Sequence, residues 1–437
     1  MIDEQNPAPI DDLLREALGQ IAAGQLTEAT AKLTAATLAL AQFEAESPAV
    51  SLLRARAIYV EGRILQRRDQ LEPALTLYQE AVRYLAENVA GQSLLVEILN
   101  RIGLVYMGLA DFSRSSQVYE QAYKLAHDSG DAAQASLALE NMGNNAINLD
   151  QPEVASSYLD AALDEAAASN DPVRIVGIYG SLTWFYGQYG PYPQAYIAAS
   201  TALALVASVG NLAQRVSVLS LISEVYLFGH HYQQAQLAIK QAERLLDQVN
   251  QASREAEVHN VAAKLFAYKE DAVNWEHHAV LAREKAAGVG LGVEYSLNLL
   301  LCWLYEGKLG QAAELLTEMV AAAAEEAGGE IDDTYHWLLA EANAAYATAA
   351  ADYQQADLHF KQSLASVGRV HRYDRARTYQ AYALMLHQWA VAEQDATLLH
   401  RALDTLGHAL KAFQRLEIRP EVAAIQQQLA AWSTLRF

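Results

Sequence analysis

The sequence predicts an all-α protein, a right-handed solenoid or superhelix of stacked antiparallel helical hairpins, and three observations predict it. The stretch LNRIGLVYMGLADFSRSSQVYEQA, from Leu99, matches LENMGNNAINLDQPEVASSYLDAA, from Leu139, at a shift of 40 residues. Hydrophobic residues make up 52% of the 437 residues and only 9 are proline, which favours ordered helices. Because a repeat array grows by stacking, a chain of this length can form one elongated body.

Small residues lie in each copy of the repeat where its two helices would cross. They are Gly103 and Ser115 in the first copy, and Gly143 and Ala155 in the second, 12 positions apart in both. A bulky side chain at these points would hold the two helix axes apart. We therefore predict that each unit is a helical hairpin.

The small residue of the second helix recurs at a nearly constant step along the chain. It moves through Ala74, Ser115, Ala155, Ala195 and Ala235, in steps of 41, 40, 40 and 40 residues. Such regularity indicates a repeat architecture. We assign the regular repeats to residues 50–250.

The flanking segments follow the pattern less closely. Residues 1–49 are predicted to form a divergent helical pair, and residues 251–419 divergent repeats, in which Trp275 stands where a small residue is expected. GVGLG, at 288–292, is predicted to be a flexible joint. Residues 420–437 are predicted to form a helix that caps the end of the stack. The whole chain then holds about ten hairpins.

With Gly103, Tyr106, Ser115, Tyr119 and Ala122 at these places, the unit resembles the tetratricopeptide repeat. Its period of about 40 exceeds the usual 34 and is similar to that of the repeats in bacterial regulators of the maltose-activator type and in peptide-sensing receptors. Such regulators usually carry an ATPase or a helix-turn-helix as well. The sequence contains no GxxxxGK[ST] motif and no basic recognition helix at its C-terminus. The resemblance therefore implies a repeat module, acting alone or with a separate effector.

Composition narrows the choice of partners. The net charge is −21, from 31 Lys and Arg against 52 Asp and Glu, and no dense basic cluster exists, so we expect no nucleic acid and a basic or neutral partner. The single cysteine, Cys302, allows no internal disulfide and no cysteine-rich zinc site. The acidic, polar opening and the lack of a long apolar run predict a cytoplasmic protein that does not bind membranes.

The sequence offers no catalytic motif and no metal or cofactor motif. Two adjacent histidine pairs, His230–His231 and His277–His278, point about 100° apart on a helix, so neither is expected to chelate a metal. HExxH, a nucleophile elbow and paired CxxC motifs are missing, so we predict that the protein is not an enzyme. An enzyme built as an α/α-barrel is disfavoured because the regular steps leave no long loops for a catalytic site.

Polar residues of the first helices are the candidate binding residues. Asn141, Asn144 and Asn148 share one helix face and are poor helix formers, so their presence favours a role in binding. An amide both donates and accepts, which suits it to clamp the backbone of an extended peptide. The resemblance implies that first helices line a concave groove; a water-filled polar groove is the alternative. The predicted partner-binding residues are Asn100, Asn141, Asn144, Asn148, Trp184, Glu224, Asn260 and Lys264.

Two further surfaces are candidates. The run WFYGQYGPYPQAY, residues 184–196, is a stiff hairpin loop in which we assign Tyr186 to the core and Trp184 and Tyr189 to a possible interaction surface. Packing of this loop against its own unit is the alternative. Trp432 and Phe437, on an exposed end helix, would allow self-association.

Two functional hypotheses follow. The first is a non-catalytic scaffold or adaptor that binds a protein or peptide in its concave groove. The alternative is a regulatory module that senses a peptide or small ligand, flexes at 288–292 and controls a separate effector. Compaction on ligand addition would favour the second hypothesis, and an unchanged shape with tight binding the first.

Overall fold

The computed structural model describes residues 8–22, 24–43, 47–68, 70–85, 91–109, 111–207, 212–249, 251–287, 292–326, 333–366 and 372–436. Within these residues it contains 21 α-helices and no strand, which confirms the predicted all-α hairpin array. The helices are α1 (Ala8–Ala22), α2 (Leu26–Leu40), α3 (Pro48–Arg67), α4 (Leu71–Leu85), α5 (Gln92–Gly108), α6 (Phe112–Ser129), α7 (Ala132–Asn148), α8 (Pro152–Ser169), α9 (Pro172–Tyr189), α10 (Tyr192–Val206), α11 (Leu212–Phe228), α12 (Tyr232–Val249), α13 (Ala252–Tyr268), α14 (Ala272–Ala287), α15 (Gly292–Tyr305), α16 (Leu309–Glu326), α17 (Asp333–Ala349), α18 (Tyr353–Ser366), α19 (Arg372–Glu393), α20 (Ala396–Leu416) and α21 (Arg419–Trp432).

The helices pair in sequence. We call the odd-numbered members from α1 to α19 first helices and the even-numbered members second helices. Second helices pack on the first helices of their own hairpins, as α8 does on α7 and α14 on α13, and first helices of adjacent hairpins also meet, as α11 and α13 do. None of the helices in the described part of the chain is both long and apolar enough to cross a membrane.

Local signals set the helix ends. The side chain of Asp111 accepts a hydrogen bond from the backbone N–H of Arg114 (3.0 Å) and so caps α6. Gly130 ends α6 in the left-handed conformation, with φ of 74°, and Asp131 then caps α7 through the N–H of Gln134 (3.1 Å). A chain that stops one helix and starts the next within two residues forms tight hairpin connections.

The small residues of the first helices make room for a side chain of the second helix. A Cβ atom on Gly62 would lie 2.6 Å from the ring of Tyr78, and one on Gly103 would overlap the ring of Tyr119. The hydroxyl of Ser115 donates to the carbonyl of Gly103 (2.9 Å) in the same interface. The close helix crossing predicted from the sequence is therefore present, and a buried tyrosine fills it.

The chain forms two compact units, Met1–Ser181 (unit 1) and Leu182–Phe437 (unit 2). Unit 1 has a core of aliphatic residues and alanines around the fully buried rings of Tyr59 and Tyr78. Unit 2 has a larger core among α17 to α21 and a second core among α13 to α17.

The C-terminal helices of unit 2 also contact earlier hairpins of the same unit. The ring of Tyr373, on α19, stacks on Phe228 at the end of α11 with ring centroids 3.9 Å apart. A Cβ atom on Gly190, in the connection between α9 and α10, would lie 3.1 Å from the backbone of Arg415 and Leu416. The α19–α21 segment therefore packs against hairpin connections far away in sequence.

Three details bear on the sequence predictions. Trp432 is buried and stacks on His387 (centroids 4.2 Å apart), so it does not offer an exposed surface for self-association, and Phe437 lies outside the described residues. The predicted joint at 288–292 also lies outside them, except for Gly292, which begins α15. Trp275 is buried in α14 within a regular hairpin, its ring beside that of Tyr305.

Candidate functional site

The predicted binding residues occupy a few repeated positions of the first helices. Asn144, Trp184, Glu224 and Lys264 follow one another at steps of 40 residues and so share one position, on α7, α9, α11 and α13. Asn100 and Asn260 share a second position, which Glu140 also occupies. The predictions thus fall into two sets: Asn100, Asn141, Asn144 and Asn148 in unit 1, and Trp184, Glu224, Asn260 and Lys264 in unit 2.

Three of the asparagines predicted to bind a partner in unit 1 each leave a buried polar atom without a hydrogen bond. Asn100 Nδ2 donates to Gln134 Oε1 (3.1 Å) and Asn144 Nδ2 to Ser181 Oγ (3.3 Å). The Oδ1 atoms of both, and Nδ2 of Asn141, are buried with no partner among the described residues. Each amide therefore retains hydrogen-bonding capacity that the folded chain does not use.

Asn145 likewise leaves its buried Oδ1 without a hydrogen-bond partner among the described residues, but its Nδ2 is bonded to a neighbouring helix. Asn145 is fully buried, and its Nδ2 donates to the carbonyl of Phe112 (2.8 Å) and to Ser116 Oγ (2.5 Å), so it ties α7 to α6. Asn148 is half-buried at the last position of α7. Asn145 thus joins two helices of the repeat, α6 and α7, whereas Asn144 bonds to Ser181 of α9.

Glu140 is a buried carboxylate that the sequence analysis missed. Its Oε1 accepts from the hydroxyl of Ser181 (3.0 Å) and its Oε2 from Arg174 Nη1 (3.4 Å), both on α9. Burial raises the pKa of Glu140, and Arg174 and Ser181 offset only part of that rise. The shared repeat position with Asn100 was the signal that would have revealed it.

The predicted residues of unit 2 mostly bond to neighbouring first helices. Lys264 Nζ donates to Glu224 Oε1 (2.6 Å), which joins α13 to α11, and Asn260 Oδ1 accepts from Asn298 Nδ2 (2.5 Å), which joins α13 to α15. Burial alone would lower the pKa of Lys264, but the Glu224 carboxylate outweighs it and the pKa is raised. Trp184 is half-buried on α9.

Unit 2 also carries a half-buried glutamate on a first helix, Glu341 of α17. Burial raises its pKa to about 7, the charge of Asp374 adds to the rise, and the charge of Arg377 opposes it. Among the described residues the Glu341 carboxylate makes no hydrogen bond or ion pair. The sequence analysis did not single out this residue.

The prediction for the 184–196 loop is wrong in its extent, because only Gly190 and Pro191 lie between α9 and α10, and it is wrong for two residues. Tyr189, predicted to be free for a partner, is buried, and the guanidinium of Arg372 lies 4.5 Å from the centre of its ring. Tyr186, assigned to the core, is only half-buried. The ring of Phe185 is buried and contacts the rings of both tyrosines. The reason is that α19 packs against the end of α9, a contact that the local repeat pattern does not contain.

Polar contacts hold the C-terminal helices of unit 2 in place. His230, in the connection between α11 and α12, lies with Nε2 3.2 Å from Glu421 Oε1 of α21. Arg377 Nη1 lies 3.5 Å from the same oxygen, and the hydroxyls of Tyr268 and Tyr373 are 3.2 Å apart. Glu421 is almost fully buried, so these contacts compensate a carboxylate that is removed from water.

Comparison with protein-family models and with curated proteins gives no match. Among solved structures, a Rap protein in complex with competence and sporulation factor is similar over 98% of both chains, with 15% identity and a TM-score of 0.51. The Rap conjugation gene regulator of plasmid pLS20, in complex with the Phr* peptide, is similar over 73% of this chain and 96% of its own (16% identity, TM-score 0.50).

A third similar structure is a signal transduction ATPase with a tetratricopeptide repeat sensor, PH0952 from Pyrococcus horikoshii. The similarity covers 79% of this chain and 53% of PH0952, with 13% identity and a TM-score of 0.51. At these identities the similarity to all three structures concerns the fold alone.

Proposed function

We propose that this chain, a tetratricopeptide-like repeat protein, is a scaffold that binds an extended peptide or protein segment along α5 and α7 of unit 1. The observation that carries the proposal is the set of unused amide atoms on Asn100, Asn141 and Asn144. A buried polar atom without a hydrogen bond costs about 1–3 kcal/mol, so three on adjacent helices favour a partner that supplies the missing bonds. The proposed role is non-catalytic and needs no cofactor.

A peptide backbone has the matching chemistry. The Oδ1 atoms of Asn100 and Asn144 accept hydrogen bonds from backbone N–H groups, and Nδ2 of Asn141 donates to a backbone carbonyl. An extended chain presents N–H and C=O groups alternately along its length, whatever its side chains. Recognition through amides would therefore hold the backbone and leave side-chain selectivity to other residues of the groove.

Charge favours a basic or neutral partner. The chain carries a net charge of −21, which attracts cationic segments and speeds their encounter. In unit 1 the Glu140 carboxylate is already bonded to Arg174 and Ser181. We therefore propose that the net negative charge attracts the partner over long distances, and that the asparagine amides bind its backbone on contact.

The similar structures support a peptide as the class of partner. One Rap protein is in complex with competence and sporulation factor and another with the Phr* peptide. Both share the helical repeat fold with this chain. For this chain, peptide binding rests on the asparagine side chains described above.

The test begins with a ligand search on the full-length protein. A display library of random peptides is selected on the immobilised chain, and the enriched peptides are labelled and titrated by fluorescence anisotropy. We expect the double variant Asn141→Ala/Asn144→Ala to bind at least about tenfold more weakly, a loss of about 1.4 kcal/mol, with little change in melting temperature. A pull-down from native lysate with both proteins then identifies the physiological partner.

The matched control is Asn343→Ala. Asn343 is a partly buried asparagine of another first helix, α17, but its Nδ2 donates to the carbonyl of Leu339 in its own helix (2.7 Å). This variant should keep wild-type affinity. The proposal fails if no peptide is enriched, or if the double variant and the Asn343 control bind alike.

A sensing module is the second candidate function, and the contacts of α19–α21 favour it. These helices meet the ends of α11 and α13 through Phe228, Tyr268 and His230. A ligand that changed the curvature of the first helices of unit 2 would change these contacts. Small-angle scattering with a selected peptide separates the two functions: compaction favours sensing, and an unchanged radius of gyration with tight binding favours scaffolding.

A further inference from the structure

Three side chains that can bind a metal ion meet on three successive helices of unit 2. They are Glu243 of α12, His259 of α13 and His278 of α14, and one ligand atom from each lies within 4.8 Å of the other two. The adjacent pair His277–His278 is not expected to chelate, and here His278 faces His259 of another helix. The fold therefore creates a donor set that the sequence spacing conceals.

The two imidazoles are already at the spacing of metal ligands. His259 Nδ1 and His278 Nδ1 are 3.1 Å apart. In a tetrahedral zinc site with Zn–N bonds of 2.0–2.1 Å, neighbouring donor atoms lie about 3.3 Å apart. The ring of Phe266 stacks on His278 (centroids 5.3 Å apart, planes 5° apart) and fixes the orientation of that imidazole.

The third ligand group, the Glu243 carboxylate, can move toward the two imidazoles. Glu243 is half-buried on α12, and among the described residues its carboxylate makes neither a hydrogen bond nor an ion pair, although Lys240 and His277 lie near it. A glutamate side chain has enough freedom to approach an ion by about one ångström through rotamer changes.

We propose that Glu243, His259 and His278 bind a divalent transition-metal ion, with Zn²⁺ as the ion that the two nitrogens and one carboxylate fit best. A water molecule completes the four-coordinate site. The ion links α12 to the α13–α14 hairpin, so binding stabilises the junction between two successive repeats. This site is independent of the peptide-binding amides proposed for unit 1.

The test uses the full-length chain after treatment with a chelator. Zn²⁺ is titrated in by calorimetry and in competition with a chromogenic zinc indicator, and melting temperature is measured with and without the ion. We expect one ion per chain, micromolar or tighter affinity, and a rise in melting temperature. Co²⁺ bound in place of Zn²⁺ should give the visible absorption of a four-coordinate ion.

Variants assign the ligands. His259→Gln, His278→Gln and Glu243→Gln should each weaken Zn²⁺ binding at least about tenfold and abolish the thermal shift, with an unchanged far-ultraviolet spectrum. His277→Gln, beside the site, and His408→Gln, on α20, are the controls and should bind as the wild type does. The proposal is overturned if wild type binds no ion at micromolar concentration, or if binding depends on a control histidine and survives His259→Gln.

Discussion

The two units of this chain carry a glutamate at the same repeat position, buried in unit 1 and half-buried in unit 2, and only one of the two has hydrogen-bond partners. Glu140 in unit 1 and Glu341 in unit 2 each lie three residues before the small residue of a first helix, Gly143 and Ala344 respectively. Glu140 accepts hydrogen bonds from two side chains of α9. Glu341 has none among the described residues, and burial raises its pKa to about 7.

This difference separates what the repeat determines from what its neighbours determine. The repeat position turns the side chain toward the next first helix, because every first helix packs in the same way. Whether the carboxylate is paired depends on the next first helix, which offers Arg174 and Ser181 to Glu140. Around Glu341 the charged groups that act on it are Asp374 and Arg377 of α19, one repelling and one attracting its charge.

The largest effect is expected from loosening α19, the helix that carries both of these charges. Tyr373→Ala removes a buried ring that stacks on Phe228 and a hydroxyl that meets Tyr268. Truncation of a buried aromatic residue costs about 4 kcal/mol. Urea unfolding followed by circular dichroism should show a loss of this size.

The control for this variant is Tyr305→Ala. Tyr305 is 57% exposed on α15, so its removal should cost less than about 1 kcal/mol. A similar small loss for Tyr373→Ala would mean that the contacts of α19 with α11 and α13 do not stabilise unit 2.

The second prediction concerns the pH dependence that the unpaired glutamate confers. Because the folded pKa of Glu341 is about 7, against 4.5 for the free side chain, the folded protein holds a proton that the unfolded chain releases. The stability should therefore fall as pH rises from about 4.5 to 7. Glu341→Gln imitates the protonated form, so it should exceed wild type by about 3 kcal/mol at pH 8 and by little at pH 5.

Unfolding in urea at pH 5 and pH 8 tests whether the stability difference between Glu341→Gln and the wild type grows with pH. Glu284→Gln, at an exposed position of α14, is the control and should follow the wild type across the range. If Glu341→Gln and the wild type had the same free energy of unfolding at pH 8, the Glu341 carboxylate would be solvated and its pKa would not be raised.

The repeat itself was predictable from the sequence because its determinants are local. Gly62 and Gly103 recur because a side chain of the second helix fills the space above them, and the constant step carries this packing from hairpin to hairpin. The same periodicity correctly places Asn144, Glu224 and Lys264 on first helices. Patterns of this kind depend on residues close in sequence, which a single chain displays directly.

The partners of each polar residue were not predictable in the same way. Asn144 and Asn145 are identical in type and adjacent, yet Asn145 bonds to Phe112 and Ser116 of α6 while Asn144 has one longer bond to Ser181. Their roles depend on which groups a neighbouring helix presents at that point. Sequence periodicity gives the direction of a side chain but not the atoms that it meets.

Contacts between residues far apart in the sequence could not be predicted either. Glu421 meets His230 across 191 residues, and the packing of α19–α21 buries Tyr189 and Trp432. A nearest-neighbour repeat pattern predicts contacts between adjacent hairpins only. The return of the C-terminal helices to earlier connections depends on small rotations accumulated over several repeats.

The third prediction concerns a variant in which Glu140 loses its cationic partner. Arg174→Met keeps an unbranched apolar stem but removes the guanidinium cation, whose Nη1 lies 3.4 Å from Glu140 Oε2. Breaking a buried ion pair costs 3–5 kcal/mol, and because Arg174 is 24% exposed and Ser181 still donates to Glu140, we expect about 2 kcal/mol at pH 8.

The pH dependence of this loss distinguishes the electrostatic cause from lost packing. Without Arg174 the pKa of Glu140 rises further, so at pH 5 more of the carboxyl is protonated and the loss should shrink. Arg244→Met, at an exposed position of α12, should change stability little at either pH. A loss in Arg174→Met that is equal at pH 5 and pH 8 would mean that the arginine acts through packing of its stem, and that pairing does not distinguish Glu140 from Glu341.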